Sequence, residues 1–547
     1  MTTASLKQDI QTSANDDQVT NHFSFTPIAV SKILEDAAAR YQDKPALDFE
    51  GLSFSYTELN TLADKIAAGL QAHGVNKGTK VGIYMPNTHY SIAFYYAILK
   101  AGGTVVNYNP LYAIEELTFQ VNNSETDILI TLDVPDLLDK AFTLVNSTEL
   151  KHVVICPLKD GETSEYADKE GALSYAAFLN HGDAPTPVAI DPKDDIAVLQ
   201  YTGGTTGVPK AAMLTHANLT TNIEQFYEML SDTITDGEER TLGILPLFHV
   251  FAMTVVMNCS IRAGSEILLA PRFDPKLIAP ILRDKKPTII PAVPAAFGAI
   301  AKHPAMQGID LSYTKYCVAG GAPIPLETKE LFEKNTGATV IEAYGLTEAS
   351  PVTNSNPPDG VIKIGSIGPA VPGTIVEILS TEDQTTVLPT GETGEVCIQG
   401  PQIMKGYYKN PSETENVLKN GRLHTGDIGY MDADGYVFLL DRLKDMILVN
   451  GYNVYPTQVE AKIYKHPDIE ECLVAGVPDE KRGEAVWAWI KPVDGSSLTD
   501  SDVKAFLKDK LSSTEIPRKI ILRDTPLPKT SVGKLSRRML LEEEGLV

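Results

Sequence analysis

A chain of 547 residues is longer than one ordinary core, and its length allows roughly three or four domains. Hydrophobic residues at 43% and charged residues at 22% are the proportions of a globular protein. A formal net charge of −24 excludes nucleic acid as the expected partner, because binding its phosphates needs a basic face. Five cysteines (Cys156, Cys259, Cys317, Cys397, Cys472) are scattered without Cys-x-x-Cys spacing. We therefore expect a reducing compartment, no disulfide framework and no zinc site.

Met1 to Asn21 is polar and lacks an apolar core segment, so it is not expected to be a signal peptide, and poor order is expected over 1–25. No run of 18 apolar residues occurs, so no transmembrane helix is expected. The ending Glu544-Gly545-Leu546-Val547 is not a peroxisomal address, and the cytoplasm is the expected location.

From residue 27 to about 190 helix and strand patterns alternate. Leu59, Leu62, Ala63, Ile66 and Leu70 fall on one helix face. Strands are predicted at Val81–Met85, Thr104–Val106, Asp127–Leu132 and His152–Ile155, with a helix over Tyr90–Lys100. Such alternation implies α/β layering with parallel strands, and a second α/β block runs from about 195 to 355. Residues 360–440 are rich in Gly, Pro and short strands, including Val376–Leu379, Glu395–Ile398 and Tyr436–Leu439, which indicates a small β subdomain. The last hundred residues mix charged helices with strands Leu473–Val477 and Ala485–Ile490. Thr499 and Asp502 form a capping box that should open a helix through Leu511.

Several stretches carry chemistry. The apolar strand Ile196-Ala197-Val198-Leu199 leads into Tyr201-Thr202-Gly203-Gly204-Thr205-Thr206-Gly207-Val208-Pro209-Lys210. Glycines let this backbone turn tightly around a ligand, hydroxyls including that of Tyr201 add donors, and Lys210 adds a cation, a combination suited to polyphosphate. Pro209 before Lys210 separates it from the common P-loop. Tyr344-Gly345-Leu346-Thr347-Glu348, expected to follow a strand at Thr339–Ile341, offers a flat ring for adenine and a carboxylate suited to the Mg²⁺ that accompanies ATP. His424-Thr425-Gly426-Asp427 should place a carboxylate on a tight turn, where it can accept from both ribose hydroxyls. Pro528 to Arg537, containing Gly533-Lys534, is a basic segment in an acidic chain.

These stretches, in this order, resemble the adenylate-forming superfamily of acyl-CoA synthetases, luciferases and peptide-synthetase adenylation domains, and the resemblance covers nearly everything from about residue 30 onward. It implies an α/β multi-domain fold: a large N-terminal domain (26–440) of two α/β subdomains plus a small β-barrel-like subdomain, then a small mobile α+β C-terminal domain (441–547). It places the nucleotide on Thr202, Gly203, Gly204, Thr205, Thr206, Gly207, Lys210, Gly321, Ala322, Tyr344, Thr347, Asp427 and Arg442. Mg²⁺ falls to Thr202 and Glu348, and the catalytic set is Lys534, Glu348, Thr347 and His249. Leu245-Pro246-Leu247-Phe248-His249-Val250-Phe251 is similar to the segment beside the family's acyl channel, which His249 or a neighbouring aromatic would help close. Lys444 corresponds to the pivot between domains, and Gly451 to a loop that passes the pantetheine arm of CoA. Thr514-Glu515 departs from the aromatic and lysine that relatives often carry there.

The implied chemistry has two halves, acyl-adenylate formation from ATP and transfer to a thiol. Only 13 residues follow Lys534, too few for a fused carrier domain, which favours coenzyme A as acceptor over a carrier protein. The runs through Asp427-Ile428 and Asp445-Met446-Ile447-Leu448-Val449, then Asn453-Val454-Tyr455-Pro456, look most like bacterial-type long-chain-fatty-acid–CoA ligases, with aryl-acid ligases of the 4-coumarate type as the second reading. Two uncharged segments, Val250–Met257 and Val293–Ile300, are the expected channel walls and lack a polar partner for an aryl hydroxyl or an Arg for a dicarboxylate. The expected partners are thus small molecules (ATP, Mg²⁺, a medium- or long-chain fatty acid and CoA), and peripheral contact with a membrane is compatible with this set.

Overall fold

The parallel strands implied by the alternating pattern are present, and they sort into two sheets. The computed structural model describes residues 23–159, 162–202, 209–479, 481–529 and 535–546. The first sheet has seven strands in the order Ala172–Ser174, His152–Cys156, Thr126–Leu132, Lys80–Ile83, Thr104–Asn107, Ile196–Thr202 and Lys210–Thr215. Every neighbouring pair is parallel until the last, which is antiparallel. The second sheet has eight, in the order Val352–Ser355, Val340–Gly345, Tyr316–Ala319, Ile289–Ala292, Arg240–Gly243, Glu266–Leu269, Pro45–Phe49 and Leu52–Ser55. Its six inner strands are parallel and each outer pair is antiparallel.

Helix Tyr56–Ala72 shows how local sequence sets these elements. Ser55 and Glu58 close a reciprocal capping box at its start, and Leu59, Ala63, Ile66 and Leu70 form the buried stripe. One hydrophobic cluster takes side chains from both sheets, which makes the two α/β halves a single packed body. Helix His89–Lys100 is buried on every side from Tyr90 to Lys100, as expected of a helix that is apolar all round. The uncharged run after His249 winds into a π-helix, Ala252–Asn258, whose Asn258 bonds the Tyr96 hydroxyl at 2.7 Å and the Tyr95 hydroxyl at 3.1 Å.

The small β subdomain is a five-stranded antiparallel sheet (Ile375–Leu379, Gly394–Gln399, Leu418–Lys419, Arg422–Met431, Val437–Arg442) with its own core around Val396, Ile398 and Val437. The last part of the chain is α+β: strands Ile447–Val449, Tyr452–Val454, Ile469–Asp479, Gly483–Pro492 and Lys519–Leu522 pack against helices Pro456–Ile463 and Asp500–Leu507. The Thr499/Asp502 capping box forms, but the helix it opens stops at Leu507 instead of Leu511. There the Lys508 N–H turns to Ala505 O, tightening the last turn into an i→i−3 bond that ends the α-helical ladder. Among the described residues no helix is long and apolar enough to cross a membrane.

Candidate active site

Parallel sheets gather loop backbone groups at the carboxyl ends of their strands, and ligands settle there. Three neighbouring strands of the second sheet, Ile289–Ala292, Tyr316–Ala319 and Val340–Gly345, run in parallel register and end side by side. They deliver Val293, the exposed Gly321 and Ala322, and the Tyr344–Glu348 stretch. The third strand was expected to stop at Ile341. It continues through Gly345 because the antiparallel strand Val352–Ser355 folds back on it, pairing Tyr344 with Asn354. That return forces a close approach: a Cβ on Gly345 would lie 2.2 Å from the Pro351 carbonyl oxygen, so only glycine fits. Thr347 and Glu348 follow in a single 3₁₀ turn.

Strand Ile196–Thr202 of the first sheet hands over to the glycine-rich loop, and the chain returns at Pro209 into strand Lys210–Thr215, with Thr202 paired to Lys210. Gly203, Gly204, Thr205, Thr206 and Gly207 lie outside the described residues, as does Lys534. Tyr201 is not one of the loop's donors. Its hydroxyl turns into the core, donating to Gln120 O at 3.0 Å and Asn123 Oδ1 at 2.7 Å, because alternation along the strand aims it away from the loop side of Thr202. Lys210 pairs closely with Glu413, and the ion pair holds Glu413 below the usual carboxylate range. The Lys210 ammonium also lies 5.5 Å from the centroid of the Tyr407 ring. The Tyr407 hydroxyl donates to Glu348 Oε1 at 2.7 Å. Burial and then the Glu348 carboxylate push the Tyr407 phenol up. Residues 405–408 reach this place by lying along strand Lys210–Thr215, with Met213 N–H on Gly406 O at 2.9 Å and Tyr408 N–H on Ala211 O at 2.8 Å.

Asp427 joins the small β sheet to this edge. One of its oxygens accepts the Tyr344 hydroxyl, and Oδ1 faces Arg442 Nε at 3.0 Å. Burial followed by Asp427 raises the Tyr344 phenol well above its ordinary range, and Asp427 raises Arg442. The carboxylate was expected on a tight turn, and the structure corrects that. Asp427 lies within strand Arg422–Met431, in a bulge where Cys397 pairs with His424 and Glu395 with Ile428, so Thr425, Gly426 and Asp427 together oppose Val396. Gly426 takes φ +70° to make the bulge. A short Thr-Gly-Asp run fits a turn or a bulge equally, and the partner strand decides.

Residues 34–408 match the AMP-binding enzyme family, and residues 458–534 match its C-terminal domain. The chain belongs to the AMP-binding enzymes. It is 41% identical over 533 residues to a long-chain-fatty-acid–CoA ligase of Bacillus subtilis, covering 94% of each chain. A long-chain-fatty-acid–CoA ligase of Escherichia coli O6:H1 is 37% identical over 535 residues, covering 93% of this chain and 94% of its own. Among solved structures, ATP-bound MatB from Rhodopseudomonas palustris superposes with a TM-score of 0.85 at 28% identity, covering 94% of this chain and 98% of its own.

The other expected residues of this AMP-binding enzyme fall at separate places. His249 is exposed, and its Nδ1 accepts the Phe251 N–H at 3.3 Å, so the ring sits at the start of the helical run that contains the π-helix and continues through Cys259–Ala263. Phe251 packs against the second sheet's loop: a Cβ on Gly320 would come within 2.9 Å of its ring. Gln200 donates to Phe248 O at 2.9 Å, tying the strand before the glycine loop to the His249 segment. A small cavity beside it is lined by Ile83, Met85, Tyr95, Leu247, Phe248 and Met257. The second expected wall differs, because Ala296, Phe297 and Ile300 of helix Pro294–Lys302 turn into a separate core, with Phe297 edge-on to Phe332 at 4.9 Å. Lys444 is exposed at the centre of the one-turn helix Leu443–Asp445, between the small β sheet and the last sheet. Gly451 and Asn450 both have positive φ at the tip of the hairpin joining Ile447–Val449 to Tyr452–Val454, the signature of a two-residue Asn-Gly turn. Sequence reading missed Tyr407, Glu413 and Gln200. Each belongs to the site through a partner dozens to hundreds of residues away, and no local pattern marks such a pairing.

Proposed function

We propose that the protein is an ATP-dependent acid–thiol ligase that activates a medium- or long-chain fatty acid as acyl-AMP and transfers it to coenzyme A. The observation that carries this reading is the linked set at the carboxyl ends of the parallel strands. Asp427 is held between Tyr344 and Arg442, and Tyr407 bridges Glu348 to Lys210. Sequence identity of 41% across 94% of a long-chain-fatty-acid–CoA ligase supports the choice of acid and acceptor.

In the first half-reaction a carboxylate oxygen of the fatty acid attacks the α-phosphorus of ATP, and the bond to the pyrophosphate oxygen breaks. Such transfers depend on positioning and charge neutralisation rather than on a protein nucleophile. Here the Tyr344 ring offers the adenine a flat face, with Gly321 and Ala322 as the facing wall. Asp427, its orientation set by two partners, accepts from the ribose hydroxyls, and Arg442 sits next to it. Lys210 and the 203–207 backbone meet the phosphates, and Lys534 stabilises charge around the α-phosphate. The oxygen donors Glu348 and Thr202 fit Mg²⁺, a hard cation, and Glu348 keeps one carboxylate oxygen beyond the one bonded to Tyr407. When bound, the ion neutralises phosphate charge. In the second half the thiol sulfur of CoA attacks the acyl carbonyl and AMP leaves, with Lys444 as the pivot and the Gly451 hairpin tip as the pantetheine contact.

The acyl chain enters beside Phe248 and Met257, where the lining is apolar apart from Ser91 and Asn107; the gap there admits about one water, so these side chains must part for the chain. A pyrophosphate-release assay on palmitate, with and without CoA, tests the reading. Release that requires ATP and fatty acid and turns over fully only with CoA is the expected result, and release indifferent to CoA under multiple-turnover conditions contradicts it.

A further inference from the structure

Glu395 and His424 have no role in the reaction as described, yet their side chains are only 4% and 5% exposed. Burying a carboxylate is unfavourable unless every oxygen finds a partner. One oxygen of Glu395 lies 2.8 Å from His424 Nδ1, which donates to it, and the other accepts the Gly426 N–H at 3.0 Å. Two more bonds finish the bulge: Thr425 Oγ1 donates to Val396 O at 2.6 Å, and the Asp427 N–H donates to Thr425 Oγ1 at 3.0 Å. Residues 424, 425, 426 and 427 are therefore each anchored, and the anchor on Gly426 grips the one peptide whose positive φ leaves it most freedom.

Cys397 Sγ is 3.4 Å from the same His424 nitrogen, and the three side chains form a group compact enough to consider for a cation. The carboxylate oxygen and Nδ1 are closer, at 2.8 Å, than the separation of about 3.3 Å between two ligands on a tetrahedral zinc ion. Burial also pushes the Cys397 thiol up, away from the thiolate a metal needs. The group is a hydrogen-bonded network rather than a metal centre.

We propose that Glu395 is a positioning residue for Asp427: clamped by His424, it fixes the bulge from which Asp427 meets the nucleotide ribose, and so sets how strongly the enzyme distinguishes ATP from 2′-deoxy-ATP. The proposal rests on the reading of Asp427 as the ribose acceptor. Glu395 itself touches no substrate in this scheme, so its effect must pass through Asp427.

The test is acyl-adenylate formation with ATP and with 2′-deoxy-ATP for the full-length wild type, Asp427→Asn, Glu395→Ala, Glu395→Gln and the Glu395→Ala/Asp427→Asn pair. Asp427→Asn should narrow the preference for ATP, which checks the underlying reading on its own. Glu395→Ala should raise KM for ATP about tenfold, the usual effect of losing a hydrogen bond to a charged group, and narrow the same preference. KM for the fatty acid should stay within about twofold. Glu395→Gln, which keeps an oxygen for Gly426, should recover part of the loss and carries the comparison if the alanine variant does not fold. In the double variant the Glu395 change should add nothing further. Asp427→Asn with an unchanged preference defeats the ribose reading. An Asp427 effect combined with no effect of either Glu395 variant, or with losses that multiply in the double variant, overturns the positioning role alone. One equivalent of zinc retained by the purified protein and lost in Cys397→Ser also overturns it.

Discussion

Replacing Tyr407 by Phe isolates one atom of the proposed nucleotide site. The ring is 7% exposed and stays in place as phenylalanine, so the packing and the Lys210 contact at 5.5 Å survive. What disappears is the 2.7 Å bond to Glu348 Oε1. A hydrogen bond to a charged group contributes about 1.5–3 kcal/mol, and every 1.4 kcal/mol is tenfold, so kcat/KM for ATP should fall by about 10- to 100-fold. The assay is single-turnover acyl-adenylate formation across ATP and Mg²⁺ concentrations. It is paired with thioester formation from supplied acyl-adenylate, which bypasses the phosphate site and should be unchanged. ATP kinetics within twofold of wild type, or equal losses in both halves, would refute the bridge from Tyr407 to Glu348 as part of the nucleotide site.

Lys534→Ala should lower adenylate formation about 10²–10³-fold while thioester formation from supplied acyl-adenylate persists, as read by rapid-quench kinetics. Lys444→Pro fixes φ near −65° and should abolish one half-reaction and spare the other, whereas equal loss of both in a folded variant counts against a pivot. His216 is buried, its Nδ1 accepts the Val30 N–H at 3.0 Å, and burial lowers its pKa from 6.5 to about 4. The unfolded chain binds this proton first as pH falls, so the contribution is complete above pH 6.5 and is lost between 6.5 and about 4. At about 1.36 kcal/mol per pH unit the loss approaches about 3 kcal/mol. His216→Gln should flatten that slope in urea melts, and an unchanged slope would contradict it.

Elements whose periodicity runs long were legible from the sequence. The stripe through Leu59, Ala63, Ile66 and Leu70 and the strand–helix alternation before residue 190 became the helix and parallel sheet they implied. The grouping of residues from separate local strings was legible too, since Tyr344, Asp427 and Arg442 do converge. What escaped was set by pairing across the chain. Tyr201 looked like a ligand donor until the strand's alternation turned it to Asn123, and Asp427 looked like a turn residue until Gly394–Gln399 paired beside it. The uncharged run Val250–Met257 does not announce a π-helix, because the wider turn answers to its surroundings rather than to composition. Helix Pro294–Lys302 is as apolar as a channel wall, yet it faces Phe332, because lack of charge fits core and channel alike.

CoA-dependent AMP release across saturated acids from acetate to stearate, alongside 4-coumarate and benzoate, tests most directly that this is a fatty-acid–CoA ligase. If the chain enters beside Phe248 and Met257, each methylene buried should contribute about 0.8 kcal/mol, so kcat/KM should climb about fourfold per carbon until the channel is full and peak at a medium or long chain. A maximum at acetate or at an aryl acid would contradict the assignment.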